Sequence, residues 1–440
     1  MKPARLFADY GMVFVLALLC ALFSALTFSD QSPTGEAAAT QVAKLLRQEL
    51  SSPARVLIAT RDQPDDVAYA SALQRLLSGS GSGAQSVSVV RGEPKDAREA
   101  LQQLAAKGER LDAIACTQAT GAWLVFSNLQ TDFPSLGGPR IVTPRSYRWP
   151  NFLKSENLLN ITNQIAVIAI VAIGVSMVII TGGIDLSVGS LLALSSVLTA
   201  RLIRDYAGGV SASPTAMILS SLAGIVLCGA IGAFSGVMIT RFGIPPFIVT
   251  LAMMLVGSGL AYILAKGQSI YQIPESFVWL GRGADFLSIP NAVLLMAFLY
   301  GLAHLLMSRM KLGRHLYAVG GNSEAARLSG VPVRRVLLFA YVASASLAGL
   351  GGVIMASQLK SGSPTYGGMY ELYVIAAVVV GGTSLAGGEG RMFGTLAGAF
   401  TIAVIQNGMN LTNVESYTQK VVLGLVILGA VLVDKTRTNR

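Results

Sequence analysis

The chain has 440 residues, 52% of them hydrophobic and only 13% charged, about half the charge of an ordinary soluble domain. Apolar runs recur from Ile161 onward, so the chain is a polytopic membrane protein and not a soluble enzyme. The net charge of +10 fits basic cytoplasmic loops better than nucleic acid, because no basic stripe with interleaved aromatics accompanies it.

Lys2 and Arg5 precede the apolar run Gly11 to Phe28. A cleaved signal peptide and an uncleaved helix both fit this start. The small residues Ala37 to Ala39 lie well past the run, beyond Asp30 and Glu36, which favours an uncleaved first transmembrane helix over residues 1–29 with a cytoplasmic N-terminus. Residues 30–150 change character: charges are frequent and no span occurs. Ala54 to Thr60 reads as a buried strand. A helix follows over residues 65–81, with Val67, Ala70, Leu73 and Leu77 on one face. Ser86 to Val90 is the next strand, and a helix starts at Pro94 and stops at Gly108. Leu111 to Thr117 is a third strand and Arg140 to Pro144 a fourth. The alternation predicts a small parallel sheet with helices on its faces, an α/β insertion on the extracytoplasmic side.

Residues 151–440 read as about nine further spans, giving about ten in all. The approximate limits are 161–182, 185–203, 215–240, 246–265, 290–308, 336–357, 371–386, 393–411 and 417–434. This count returns the C-terminus to the cytoplasm, in keeping with Lys435, Arg437 and Arg440. The largest inside loop is then 309–335, with Arg309, Lys311, Arg314, Arg327, Arg334 and Arg335; Arg201 and Arg204 fall outside, against the trend. The span at 371–386 is short for a crossing and is expected to be broken or partly re-entrant.

Two phrases share the pattern G-G-x-x-L-x-x-G: "GGIDLSVG" from Gly182 and "GGTSLAGG" from Gly381. Gly-interrupted segments in two halves of a membrane protein point to a translocation path, since unwound backbone is tolerated where protein or water satisfies it. Gly182, Gly183, Gly189, Gly381 and Gly382 supply the breaks, and Ser187, Thr383 and Ser384 supply hydroxyls suited to a polar, uncharged solute. Close helix packing by small residues is the alternative. Asp185 either caps the next helix or meets solute or gate, and Glu371 has the same two readings. Tyr366, Tyr370 and Tyr373 around it read as interfacial anchors. In the inside loop, "NSEAARLSG" has a cap-like Asn322, a helical centre and a stop at Gly330. It is either an ordinary interfacial helix or a docking helix for a cytoplasmic motor.

The segments "GGIDLSVGSLLAL", "LGRHLYAVGGNSEAARLSGV" and "AAVVVGGTSLAGGEGRMFGTLAGA" resemble the transmembrane permease of ribose-type importers driven by ATP-binding-cassette motors, within the wider branched-chain amino acid and ribose permease superfamily. The likeness runs from about Asn151 to Val433. It implies a bacterial inner-membrane permease that pairs with a second copy or paralogue, a separate ATPase that uses ATP, and a periplasmic binding protein that delivers a monosaccharide. It also implies that the loop with Gly321, Asn322, Ala325, Ala326, Ser329 and Gly330 contacts the ATPase, with Glu324 and Arg327 inside the same short helix.

The residues add their own constraints. No G-x-x-x-x-G-K-[ST] phosphate loop occurs, so energy comes from a partner or an ion gradient. Asp185 and Glu371 are few for a proton relay, which favours the partner. Cys20, Cys116 and Cys228 show no metal or disulfide spacing, and His304 and His315 lack acidic neighbours, so neither a cofactor nor a metal is expected in the chain. The insertion departs from the resemblance; its strand and helix order resembles one lobe of a sugar-binding periplasmic protein. Docking or shielding, ligand sensing and an idle relic are its readings. A membrane receptor with an extracytoplasmic sensor and an ion-coupled sugar carrier are the alternatives for the whole chain.

Overall fold

The computed structural model describes residues 3–49, 54–78 and 84–438. Lys2, residues 79–81 and Arg440, invoked above for a helix end and the termini, lie outside the described residues. The chain divides into two compact units, Met1–Thr27 with Asn151–Arg440, and Phe28–Pro150.

Helix α1 (Pro3–Leu26) ends sooner than the expected 1–29. The Thr27 amide and hydroxyl both donate back to the Phe23 carbonyl, at 3.1 and 2.7 Å, and strand pairing takes over from Phe28. Phe28 and Ser29 instead belong to strand β1 (Phe28–Gln31), where they pair with Pro150 and Trp149. Within the second unit the order continues as α2 (Gly35–Glu49), β2 (Ala54–Thr60), α3 (Pro64–Ser78), β3 (Ala84–Arg91), α4 (Pro94–Ala106), β4 (Ala113–Cys116), β5 (Arg140–Val142) and β6 (Tyr147–Pro150). Strands β3, β2, β4 and β5 lie side by side in that order and are all parallel. The period of two along β2 sorts its side chains: Val56 and Ile58 pack with α2 and α3, and Leu57 and Ala59 pack with α4 on the other face. Inside this core the Tyr69 hydroxyl donates to the Cys116 carbonyl at 3.1 Å. Burial pushes the Cys116 thiol up from its ordinary 9.0 to about 12.

The first unit resumes with α5 (Ser155–Ile180), α6 (Val188–Tyr206), α7 (Pro214–Phe242), α8 (Pro246–Ala265), α9 (Asn291–Arg309), α10 (Lys311–Gly321), α11 (Ser323–Leu328), α12 (Val333–Leu359), α13 (Tyr370–Val380), α14 (Met392–Leu411) and α15 (Ser416–Thr438). Among the described residues six helices are long and apolar enough to cross a membrane: α5, α7, α8, α9, α12 and α14. Helix α5 is the most enclosed, with 89% of its apolar window buried, and α9, α10, α12, α13 and α14 pack around it. Small residues set the spacing, since apolar burial does not distinguish a helix neighbour from lipid. A Cβ on Gly232 of α7 would sit 2.5 Å from the Tyr341 carbonyl of α12, and one on Gly236 would sit 2.8 Å from Leu338.

Candidate functional site

The two glycine phrases are helix stops. Helix α5 ends with Gly182 at φ +82°, the Gly182 amide donating to Ile179 at 2.8 Å and the Gly183 amide to Val178 at 3.0 Å. Helix α13 ends in the same way with Gly382 at φ +86°, the Gly382 amide donating to Val379 at 2.9 Å and the Thr383 amide to Val378 at 3.1 Å. This paired closure needs a left-handed residue, which glycine supplies. Gly182 therefore corresponds to Gly382, one place off the G-G-x-x-L-x-x-G register that sets Gly182 against Gly381. Gly381 itself keeps a right-handed helical conformation at the end of α13.

The turns meet each other. The Gly388 amide donates to the Ile180 carbonyl at 2.8 Å. A Cβ on Gly387 would sit 2.9 Å from the Gly320 carbonyl and 3.0 Å from the Gly182 amide, and one on Gly388 would sit 2.9 Å from the Cα of Gly321. A Cβ on Gly320 would overlap the Ile180 carbonyl outright. The Tyr317 hydroxyl, one turn back on α10, donates to the Gly390 carbonyl at 2.8 Å. Three stretches far apart in sequence thus touch backbone to backbone: the end of α5, the end of α10 and the turn before α14. Gly320, Tyr317, Gly387 and Gly390 were not among the residues singled out from sequence. Only the surplus of glycine in these stretches marks them.

Asp185 lies just beyond the first turn, 1% exposed. Its Oδ1 accepts from the Ser187 amide at 3.0 Å and the Ser187 hydroxyl at 2.6 Å, and its Oδ2 accepts from the Ser344 hydroxyl of α12 at 2.7 Å. The carboxylate closes a local turn and clamps it to α12. Ser187 occupies the cap position of α6, and its side chain makes no capping bond. Ser187, Thr383 and Ser384 are all buried. The Thr383 hydroxyl and the nearby Tyr341 hydroxyl have no hydrogen-bond partner among the described residues, and Tyr341 presses its oxygen against Gly183.

Gly189 and Glu371 meet where α6 and α13 begin. A Cβ on Gly189 would overlap the Glu371 carboxylate and lie 2.5 Å from the Gly367 carbonyl. The non-helical stretch before α13 runs back along α6: Gly362 lies against Ser196 and Ala200, and Gly367 against Gly189 and Leu192. This explains the short span. Residues that would lengthen α13 are spent in a run of turns, with Gly367 and Met369 left-handed, and the helix keeps 11 residues, Tyr370–Val380.

The region expected as an inside loop is mostly helix, because α10 carries the chain from Lys311 to Gly321. Its apolar residues Leu316 and Val319 face inward at helical spacing. Asn322 caps α11, its side chain accepting from the Glu324 amide at 3.1 Å and the Ala325 amide at 2.9 Å. Gly330, at φ +82°, follows the end. Gly321, Asn322, Glu324, Ala325, Arg327, Ser329 and Gly330 are exposed, whereas Ala326 is 5% exposed and pins α11 to the helices beneath. Leu328, not singled out from sequence, is 76% exposed on the same short helix. The Arg327 guanidinium, hydrogen-bonded to Glu324, holds that carboxylate below its usual range.

Comparison with known proteins fits this geometry to a family. The family described as "Branched-chain amino acid transport system / permease component" matches residues 157–431. The ribose import permease protein RbsC of Escherichia coli is 42% identical over 292 residues, covering 66% of this chain and 88% of the relative. The protein of that name from Bacillus subtilis is 42% identical over 291 residues, with the same coverage of 66% and 88%. The D-allose transport system permease protein AlsC of Escherichia coli is 36% identical over 284 residues, covering 64% and 85%. No solved structure matches the chain. A match over this length and at this identity assigns the chain to the permease-component family of branched-chain amino acid transport systems.

Proposed function

We propose that the chain is the membrane permease subunit of an ATP-driven importer for a monosaccharide or similar polyol. Relatives named for ribose import and D-allose transport support the substrate class. A cytoplasmic ATPase hydrolyses the ATP, a periplasmic binding protein delivers the sugar, and a second copy or paralogue completes the membrane part. The chain is a multi-pass bacterial inner-membrane protein. It crosses about ten times if α1, α6, α13 and α15 join the six long apolar helices. Both termini then lie in the cytoplasm, Phe28–Pro150 lies outside, and the basic stretch from Arg309 to Arg335 lies inside.

One observation carries the mechanism: the end of α10 touches both glycine turns, and α10 is the root of the exposed, capped helix α11. ATP binding closes the two motor subunits and shifts α11. Helix α10 passes the shift through Gly320 and Tyr317 to the ends of α5 and to the turn after α13. The Gly320 contacts are backbone to backbone, so that part of the shift is transmitted without a side chain yielding first, and the Tyr317 hydroxyl adds one hydrogen bond to the Gly390 carbonyl. Gly182, Gly183, Gly381 and Gly382 let the turns move. Asp185, Ser187, Gly189, Glu371, Thr383 and Ser384 hold the helix starts that change the open side of the path.

The test is reconstitution in lipid vesicles with a partner ATPase and binding protein. ATP-dependent uptake of D-ribose, D-allose or L-arabinose is expected. Uptake without the ATPase, driven by an ion gradient, overturns the reading.

A further inference from the structure

A cavity of about 140 Å³ opens between the outer half of α5, the start of α13 and the second half of α14. Its polar lining is Gln164 from α5, Tyr370 and Tyr373 from α13, and Gln406 from α14; Ile165 and Ile168 lie beside them. Neither glutamine amide has a hydrogen-bond partner among the described residues. Their amide neighbours are satisfied. Asn157 and Asn407 exchange reciprocal bonds of 3.1 and 2.8 Å, and the Gln358 amide donates to the Asn163 carbonyl at 3.1 Å. The two unpaired amides therefore stand out, and both face the same cavity.

Gln164 is exposed and Gln406 half-buried, so within the membrane part their amides are open to water or a polar ligand instead of being spent on the protein. Gln164 and Gln406 sit within α5 and α14, two of the long apolar helices. Each amide offers one acceptor and two donors, the set that pairs with vicinal hydroxyls. The Tyr370 and Tyr373 rings lie edge to face at 6.3 Å and add two hydroxyls and an aromatic surface for the C–H face of a sugar ring. No charged side chain lines the cavity, so nothing there balances the ammonium or carboxylate of an amino acid. The space suits a single sugar ring.

We infer that Gln164, Gln406, Tyr370 and Tyr373 form a sugar-contact site within the membrane part, selective for a neutral monosaccharide over an amino acid. The inference rests on the import reading above and adds the residues that touch the cargo. It differs from the hydroxyls of the glycine turns, which are buried and do not line this cavity.

The experiment uses the complete transporter, with ATPase and binding protein, in vesicles supplied with labelled D-ribose, D-allose or L-arabinose. Gln164→Ala and Gln406→Ala each lower the maximal import rate about tenfold, the weight of roughly one hydrogen bond, while co-purification with the ATPase persists. The paired change Tyr370→Phe with Tyr373→Phe keeps both rings and shifts the ratio of import rates among the three sugars, which a packing role would not move. Wild-type rates and ratios in these variants overturn the site and leave the import reading standing. If the alanine variants fail to assemble, an unchanged sugar ratio in the phenylalanine variant overturns the site by itself. If the wild-type transporter imports none of the three, the import reading falls and the site with it.

Discussion

The carbonyl of Ile180 accepts from the Gly388 amide at 2.8 Å, and the Cα of Gly320 lies against the same oxygen. One backbone oxygen thus joins the ends of α5 and α10 to the turn before α14. Gly320→Ala drives a methyl group into that oxygen and is expected to destabilise the protein by about 3 kcal/mol or more, beyond ordinary overpacking. Gly321→Ala meets open space and suits a helix end, so it leaves the melting temperature unchanged or slightly raised. Thermal melts of the two purified variants in detergent check the contrast.

Gly183 and Tyr341 are coupled through one oxygen. A Cβ on Gly183 would overlap the Tyr341 hydroxyl, which has no hydrogen-bond partner among the described residues, and the next neighbour is Val178 at 3.1 Å. Gly183→Ala alone is expected to lower stability by about 1 to 3 kcal/mol. Tyr341→Phe alone is near neutral, because it removes an unsatisfied group. Tyr341→Phe added to Gly183→Ala restores most of the loss, a coupling that a double-mutant cycle reads directly.

Asp185 accepts three hydrogen bonds and, among the described residues, has no cationic partner at its oxygens. Asp185→Asn keeps an acceptor toward Ser187 and turns its amide to Ser344, whose hydroxyl rotates to accept. ATP-driven uptake is therefore expected to persist in Asp185→Asn. Asp185→Ala leaves buried donors unpaired, costing about 1 to 3 kcal/mol each, and is expected to abolish uptake. Loss of transport in Asp185→Asn, with assembly intact, would give the carboxylate's charge or proton a role in transport.

Leu328 offers the better probe of docking on α11. It is 76% exposed, whereas Ala326 is buried and any large substituent there disturbs the helix before it reaches a partner. Leu328→Asp is expected to abolish co-purification with the ATPase while the melting temperature stays within a degree or so of the parent, as for most surface changes. Co-purification at the parental level counts against docking through this helix.

Cys116 gives a measurable pH effect in the Phe28–Pro150 unit. The folded thiol keeps its proton up to about 12, whereas the exposed thiol of the unfolded chain releases it near 9.0. The contribution to stability is full below 9.0 and is lost as pH rises from there through about 12. At pH 8 a water-soluble thiol reagent is expected to leave Cys116 unmodified in the native protein and to modify it after denaturation, as peptide mass analysis reports.

Local chemistry was legible in the sequence. Asn322 and Gly330 bracket α11, Pro94 opens α4, and the apolar run Ala54–Thr60 is a strand. Each of these follows from a residue's own backbone preference. Partners across the chain were not legible. Asp185 finds Ser344 at a separation of 159 residues, and nothing beside either marks the pairing. The similarity of the two glycine phrases was visible, but its register was not. Letters align Gly182 with Gly381, whereas left-handed backbone aligns it with Gly382. Helix α10 is weakly marked in the sequence because its apolar face is only Leu316 and Val319 wide. Nothing in the sequence marks Gln164 and Gln406, because the cavity they share is formed by helices far apart in the chain.

The Asn151 amide donates to the Thr27 carbonyl at 2.8 Å, and the Phe152 amide to the Thr27 hydroxyl at 3.1 Å. The permease chain thus closes on itself at the very point from which the whole Phe28–Pro150 unit departs. A cassette inserted between two residues already held together asks no helix to move, and cutting it out leaves ends that a short linker can rejoin. The seam at Thr27 and Asn151 is a graft site, open to exchange of the Phe28–Pro150 module without redesign of the apolar helices.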